Sequence, residues 1–265
     1  MTTTADKAAL LTSLHVPGDP LIVTNVWDAI TARIVARTPG VRALATASHS
    51  VAFALGVPDG EGMTVEQALD AARRITGSTE LPVSVDFERG YARDAAGVRD
   101  NVARLIDAGA AGLNIEDSLD GATSERRPLE EAAARVAAAR AAADAAGVPL
   151  AINARTDTLA GSPDNWDEAI DRANAYVDAG ATSIFMLGLS TEQNVADAVA
   201  AVRAPIAVFA HPGYLPLQRL AELGVGRVSF GPQSPGLPLR PLAAAAAQLT
   251  ARGEYPSELA YRYEL

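Results

Sequence analysis

Cysteine is absent from this 265-residue chain, which excludes disulfides, thiolate metal sites and cysteine nucleophiles together. No apolar run approaches the length of a membrane span. The start, Met1-Thr2-Thr3-Thr4-Ala5-Asp6-Lys7, has no basic stretch leading into an apolar one, so no signal peptide is expected. Excess positive charge is missing as well. The net charge of −10 argues against a nucleic-acid or anionic-membrane partner. Gly60, Gly90 and Gly231 fall near strand ends without a GxGxxG or Walker pattern, so nucleotide binding is not expected. No Pro/Ser-rich linker or composition shift divides the chain. What remains is a cytoplasmic protein whose 49% apolar content can bury one large core.

Against these absences stand eight short β-rich segments: Leu21–Asn25, Ala43–Ser48, Pro82–Phe87, Gly112–Asp117, Leu150–Thr156, Ser183–Gly188, Ile206–Ala210 and Arg227–Gly231. Between them lie stretches with helical spacing, among them Val65–Ile75, Ala95–Ala108, Leu129–Ala146, Asp167–Ala179 and Gln193–Val202. Several end in the same punctuation, as in Asp107-Ala108-Gly109 and Asp178-Ala179-Gly180, where glycine closes a helix before the next strand. Eight β–α units in one unbroken chain predict a single (β/α)8 barrel over residues 1–265 rather than a doubly wound sheet. An N-terminal helix at about 5–14 and a C-terminal helical tail at about 240–265 complete the expected layout. The Ala-rich stretch Leu129–Ala146 reads as a helix packed closely on the barrel, with Glu130, Glu131, Arg135 and Arg140 facing water.

A buried parallel strand reads as a near-continuous apolar run, so acids at its far end mark where it leaves the core. Val83-Ser84-Val85-Asp86-Phe87-Glu88 and Gly112-Leu113-Asn114-Ile115-Glu116-Asp117 both end this way. In a barrel the strand ends share one face. There the candidates are Asn25, Ser48, His49, Asp86, Glu88, Glu116, Asp117, Asn153, Arg155, Asp157, His211 and Gln233. Clustered carboxylates repel one another unless a cation or protons intervene. Because every available ligand is a hard oxygen, a magnesium-like ion answers that need. Each acid also has a plainer reading, as a helix cap or a partner for a rim arginine, and Arg155 has one as the partner of Asp157. His15 reads as incidental and His211 as a loop anchor. His49 reads equally as a proton donor and as a packing residue. Trp27 and Phe53 read as core or subunit-contact residues.

Five segments occur in an order that resembles the isocitrate lyase/phosphoenolpyruvate mutase superfamily: Asn25-Val26-Trp27-Asp28-Ala29, Leu55-Gly56-Val57-Pro58-Asp59-Gly60-Glu61, Val85-Asp86-Phe87-Glu88-Arg89-Gly90-Tyr91, Gly112-Leu113-Asn114-Ile115-Glu116-Asp117 and Ile152-Asn153-Ala154-Arg155-Thr156-Asp157. The resemblance implies a TIM barrel that binds Mg²⁺, with Mn²⁺ as the alternative, and a small carboxylic acid: a 2-oxo acid or its enolate. It implies a homo-oligomer, dimer or tetramer, with the last helix a candidate for exchange between subunits. Asp86 would ligate the metal directly, while Asp59, Glu88 and Glu116 would hold its waters. Arg155 would bind a substrate carboxylate. Ala47-Ser48-His49 would cradle substrate oxygens, partly through backbone N–H groups.

The chain also departs from that family. Where the lyases carry a Lys-Lys-Cys-Gly-His-type gating loop, it reads Ser118-Leu119-Asp120-Gly121-Ala122-Thr123-Ser124-Glu125-Arg126-Arg127-Pro128-Leu129, and the mutase loop is equally unrecognisable. Met186-Leu187-Gly188 follows the sixth predicted strand in place of a Glu or His. Ala47 stands where relatives carry a serine, and Glu88 where they carry an aspartate. The metal end is kept and the acid–base equipment thinned, which predicts a lyase acting on a small 2-oxo-dicarboxylate by C–C cleavage or decarboxylation through an enolate. Phosphonopyruvate-type mutase or hydrolase chemistry and non-catalytic metabolite binding are the alternatives. Arg126 and Arg127 are expected on a mobile lid that contacts a substrate anion.

Overall fold

The computed structural model describes residues 2–120, 125–162 and 164–260. Nine strands form one sheet: β1 (Leu21–Val23), β2 (Asn25–Val26), β3 (Leu44–Thr46), β4 (Val83–Asp86), β5 (Gly112–Glu116), β6 (Ala151–Thr156), β7 (Ser183–Met186), β8 (Ile206–Phe209) and β9 (Arg227–Ser229). All neighbours are parallel, in the order β1-β9-β8-β7-β6-β5-β4-β3-β2. Helices on the outside connect them, and the expected N-terminal and inter-strand helices appear within a residue or two of the boundaries read from the sequence, whereas the helical tail expected at about 240–265 starts earlier and its helix ends at Thr250.

The predicted first strand, Leu21–Asn25, is corrected to two. β1 pairs with β9, setting Leu21 opposite Arg227, while β2 pairs with β3, setting Asn25 opposite Ala45. Thr24 alone separates them. Strands in a closed barrel are staggered, so this segment meets one neighbour with its first half and the other with its second. The Asn25 amide stitches the junction. Its Nδ2 donates to the Thr46 carbonyl at 2.9 Å, and its Oδ1 accepts the Phe230 N–H at 2.8 Å. The barrel is thus eight-stranded by connectivity and closes through the continuous segment 21–26, with the Asn25 side chain bonding both of its neighbours.

The end of the barrel where the strands start is sealed. The helix Thr4–Ser13 is capped by a reciprocal Thr3–Asp6 pair and buries Ala8 and Leu11 completely. Leu11 lies over Gly112, where a Cβ would come within 2.8 Å of its Cδ2. His15, read as incidental, is buried here, with Nδ1 bonded to the Leu11 carbonyl at 2.8 Å. Arg227 occupies the bore itself, 2% exposed, and its Nη1 donates to Ser84 Oγ at 3.1 Å.

At the other extreme of the chain, the helix Gly236–Thr250 buries none of its side chains, and Leu237 and Leu242 are 75% and 65% exposed. A short 3₁₀ turn, Ser257–Ala260, follows. The rest of the predicted tail, 261–265, lies outside the described residues. Among the described residues, no helix is long and apolar enough to cross a membrane.

Candidate active site

Side chains alternate along a strand, so the ladder that sends Ser84 into the bore sends Asp86 to its upper rim. The Asp86 N–H donates to Thr46 Oγ1 (2.8 Å), and its Oδ2 accepts the Ser48 N–H (2.9 Å). That second bond comes from the first turn of the helix Ser48–Leu55. Asp86 Oδ1 is buried, and no described residue bonds it. A buried carboxylate oxygen without a donor is costly.

Glu88 follows two residues later, 3% exposed, in a left-handed conformation (φ +47°). Its Oε1 accepts the Glu61 N–H at 2.6 Å and its Oε2 accepts the Tyr91 hydroxyl. Glu61 in turn accepts the Tyr91 N–H at 2.8 Å and pairs with Arg89 at 3.3 Å. The turns at 57–63 and 87–93 therefore interlock. Burial pushes the Glu88 carboxyl up to about 7, against the pull of those two donors. Three non-glycine residues with positive φ, Glu61, Glu88 and Tyr91, meet here. Such strain clusters at working sites held by many bonds.

On β5, Glu116 faces the bore, and burial raises its carboxyl pKa against the pull of Arg155. It accepts from Ser118 Oγ at 2.7 Å and pairs with Arg155 Nη1 at 2.9 Å. The other edge of Arg155 is bidentate to Asp157, at 2.5 and 2.8 Å. The guanidinium also lies 5.7 Å from the Phe185 ring centroid. Asp117, one residue on from Glu116, points the other way. It accepts from Thr156 Oγ1 and the Tyr176 hydroxyl, both at 2.8 Å, and joins the strand to the outer helices.

Two adjoining cavities of about 280 and 210 Å³ open on the rim and share Ser48, Asp59 and Arg155. Asn25, Ala47, His49, Asp86, Asn114, Phe185, Leu187, Phe209 and Ser229 line the larger, and Glu88, Glu116, Ser118 and Asp157 the smaller. The residues that the family resemblance singles out, Ala47, Ser48, His49, Asp59, Asp86, Glu88, Glu116 and Arg155, thus line one cleft, whereas four of the strand-end candidates, Asp117, Asn153, His211 and Gln233, do not. Asn153 lies below it, bonded to Asn114 and Ser183. His211 is exposed on its own loop beside Phe209 and Tyr214, and Gln233 is exposed in a 3₁₀ turn. The apolar wall of Phe185, Leu187 and Phe209 was not anticipated. Its only signal in the sequence was alternation within otherwise continuous apolar strands.

The lid expected from Arg126 and Arg127 includes 121–124, which lie outside the described residues. Arg126 pairs with Glu168 at 3.3 Å and Arg127 with Glu131 at 2.6 Å. Arg135, expected to face water, is 1% exposed, and Arg140 is half-buried. Trp27 is half-buried against the core, whereas Phe53 is 62% exposed and parallel to the His49 ring.

Among the described residues, no three His, Asp or Glu side chains form a ready-made metal cage. Mg²⁺ needs none, because it keeps several waters and commonly takes one or two carboxylates. The undonated Oδ1 of Asp86, flanked by Glu88 and Glu116, fits a hard dication held in that way.

A closed parallel barrel with an oxygen-donor rim at its strand ends defines the class: a TIM-barrel protein whose site suits a divalent metal and a small acid. More narrowly, the family model for phosphoenolpyruvate phosphomutase matches residues 11–250, and the chain belongs to this family. A 2-methylisocitrate lyase of Escherichia coli (strain K12) is 37% identical over 208 residues, covering 71% of this chain and 68% of the relative. An oxaloacetate decarboxylase of Bradyrhizobium sp. is 32% identical over 246 residues, covering 89% and 84%. A Burkholderia cenocepacia structure that carries a provisional phosphonomutase name is 43% identical with a TM-score of 0.88, covering 92% of this chain and 99% of that one.

Proposed function

We propose that this protein is a Mg²⁺-dependent carbon–carbon lyase acting on a small 2-oxo-dicarboxylate or related acid. The observation that carries this reading is Asp86 Oδ1, buried at the cleft without a donor among the described residues, with Glu88, Glu116, Arg155 and Arg227 close enough to interact with the Asp86 carboxylate. The names of the two curated relatives, a lyase and a decarboxylase, support it. Asp86 would be the direct ligand, with Mn²⁺ an acceptable replacement, and Asp59, Glu88 and Glu116 would hold the ion's waters. When bound, the ion stabilises negative charge on an enolate oxygen.

The chain's own residues supply the rest. When the bond from the carbon α to the ketone to its departing substituent breaks, its electron pair stays on that α-carbon as an enolate of the 2-oxo fragment, CO₂ or a carbonyl fragment departs, and a proton is taken up at the α-carbon. Ala47 and His49, at the start of the helix Ser48–Leu55, line the cleft, and their backbone N–H groups orient the substrate's oxygens, while the Ser48 N–H holds Asp86 Oδ2. Arg155 turns its guanidinium to the cavity. Both its edges already hold Glu116 and Asp157, so it binds a substrate carboxylate as part of a shared charge network.

Calorimetric titration of oxalate, which resembles the pyruvate enolate, tests the reading with and without Mg²⁺ on wild type and Asp86→Ala. Binding that needs both Mg²⁺ and Asp86 is expected. No binding to wild type in Mg²⁺ overturns the 2-oxo-acid assignment. Tight binding without turnover across a panel of acids favours the metabolite-binding alternative. The phosphonomutase name of the 43%-identical structure favours P–C chemistry as a second reading. Phosphorus NMR of phosphonopyruvate incubated with the protein separates the two.

A homo-oligomer is the arrangement we propose for the exposed helix Gly236–Thr250, whose leucines a second copy would cover. A Leu237→Asp/Leu242→Asp variant is expected to halve the mass seen by light scattering, or reduce it further. An unchanged mass would reject the arrangement.

A further inference from the structure

The segment that carries Glu88 is held by its carbonyls. Phe87 O accepts from the Gly90 N–H and Glu88 O from the Glu116 N–H. Gly90 O and Tyr91 O both accept from Asn101 Nδ2, at 3.0 and 2.9 Å. The remaining three belong to Arg135. Its Nη1 donates to Arg89 O (3.0 Å) and Ala92 O (3.2 Å), and its Nη2 to Ala92 O (3.2 Å) and Arg93 O (2.5 Å). Seven consecutive carbonyls, 87 to 93, are thus satisfied, three of them by one guanidinium reaching in from the outer helix Leu129–Ala145.

This burden falls on the most strained backbone in the site. Glu88, Gly90 and Tyr91 have φ of +47°, +89° and +52°, and left-handed non-glycine residues persist only where their surroundings over-determine them. Arg135 is 1% exposed and its partners are neutral carbonyls, apart from Glu131 at 3.5 Å from Nε. A buried cation spent on a loop's backbone implies that the loop's shape matters more than the charge pair alone.

We propose that Arg135 is a positioning residue of the site: by clamping Arg89, Ala92 and Arg93 it holds Glu88 in the orientation that the metal's water shell requires. This rests on the metal reading above. Arg140, on the same helix, is the matched control, since its guanidinium donates to the Gly180 and Leu150 carbonyls, away from the site.

The test compares Arg135→Met, Arg135→Lys and Arg140→Met by Mn²⁺ titration and by amide hydrogen exchange without metal. Arg135→Met is expected to weaken Mn²⁺ binding about 10–100-fold and to speed exchange at Gly90 and Tyr91. Arg135→Lys should do likewise, because an ammonium keeps the charge but lacks the fork. Arg140→Met should leave both readouts unchanged even where it lowers Tm. A folded Arg135→Met with wild-type affinity and wild-type exchange overturns the proposal, as does an Arg140→Met that loses as much. Should Arg135→Met fail to fold, Arg135→Lys decides on the same criteria. If wild type itself binds no Mn²⁺, the metal reading fails and the exchange at Gly90 and Tyr91 alone decides whether Arg135 clamps the loop.

Discussion

The two ends of the barrel are built from opposite materials. At the floor, Ala8 and Leu11 are fully buried, His15 is excluded from water and Arg227 is enclosed in the bore. At the rim, Asp86, Glu116 and Asp157 surround Arg155, Asp86 Oδ1 has no donor among the described residues, and Glu61, Glu88 and Tyr91 adopt strained backbone. Both ends bury ionisable groups, with opposite consequences. Burial lowers the His15 pKa and raises that of Glu88, so the floor keeps a base neutral and the rim lets an acid hold its proton to about neutral pH when no metal is present. The floor serves stability and the rim sets stability aside for chemistry, the division expected of this fold.

Breaking the floor should produce the largest effect and leave the rim untouched. Leu11→Ala removes the fully buried side chain that packs over Gly112. We expect a loss of about 2–5 kcal/mol in unfolding free energy, measured by denaturant titration, with Mg²⁺-dependent oxalate binding unchanged at a temperature where the variant is folded. Weakened binding in that folded variant would show that the two ends are coupled.

That division was only partly legible beforehand. The helices and strands were readable because apolar runs and Ala-Gly endings repeat along the chain, and the rim acids because they terminate such runs. Pairing was not. Leu21–Asn25 reads as one strand, and only closure of the ring requires it to serve two neighbours. Glu116 and Asp117 read alike at a strand end, yet alternation sends one into the bore and the other to Tyr176. Arg135 reads as water-facing because Leu129–Ala145 is so rich in alanine that no apolar stripe marks its inner face. A buried arginine there is visible only once the carbonyls of the 87–93 turn are in place.

The floor's second weakness is acid. Burial, with Arg227 nearby, holds His15 down at about 4 rather than its ordinary 6.5, and its Nε2 has no partner among the described residues. Above 6.5 neither the folded nor the unfolded chain protonates this group, and its contribution is fully present. Between about 6.5 and 4 the unfolded chain takes up the proton first, so stability falls with pH by roughly 3 kcal/mol and levels off below. Replacing His15 with Gln should remove this limb from the variant's stability curve, so that the difference between wild type and variant changes by that amount between pH 7 and pH 4. Parallel curves for wild type and variant from pH 7 to pH 4 would show that His15 is not the group responsible.

At the rim the sign reverses. A carboxyl raised from its ordinary 4.5 to about 7 is ionised in the unfolded chain before it is ionised in the folded one. In the presence of chelator, stability therefore declines as pH rises from about 4.5 to 7, because the unfolded chain then binds fewer protons. Glu88→Gln keeps the size and an acceptor for the Glu61 N–H while removing the charge. It gives up part of the bonding to Tyr91, which offsets some of the gain. The net expectation at pH 8 is a metal-free variant more stable than wild type by about 1–2 kcal/mol, with that advantage gone at pH 5. Mg²⁺ should then stabilise wild type more than the variant, since the charge that burdens the empty rim is the one a cation favours. A Glu88→Gln variant that is less stable at pH 8 and gains as much from Mg²⁺ as wild type would mean that Glu88 is a structural strut, and the strain around it would belong to folding rather than to the site.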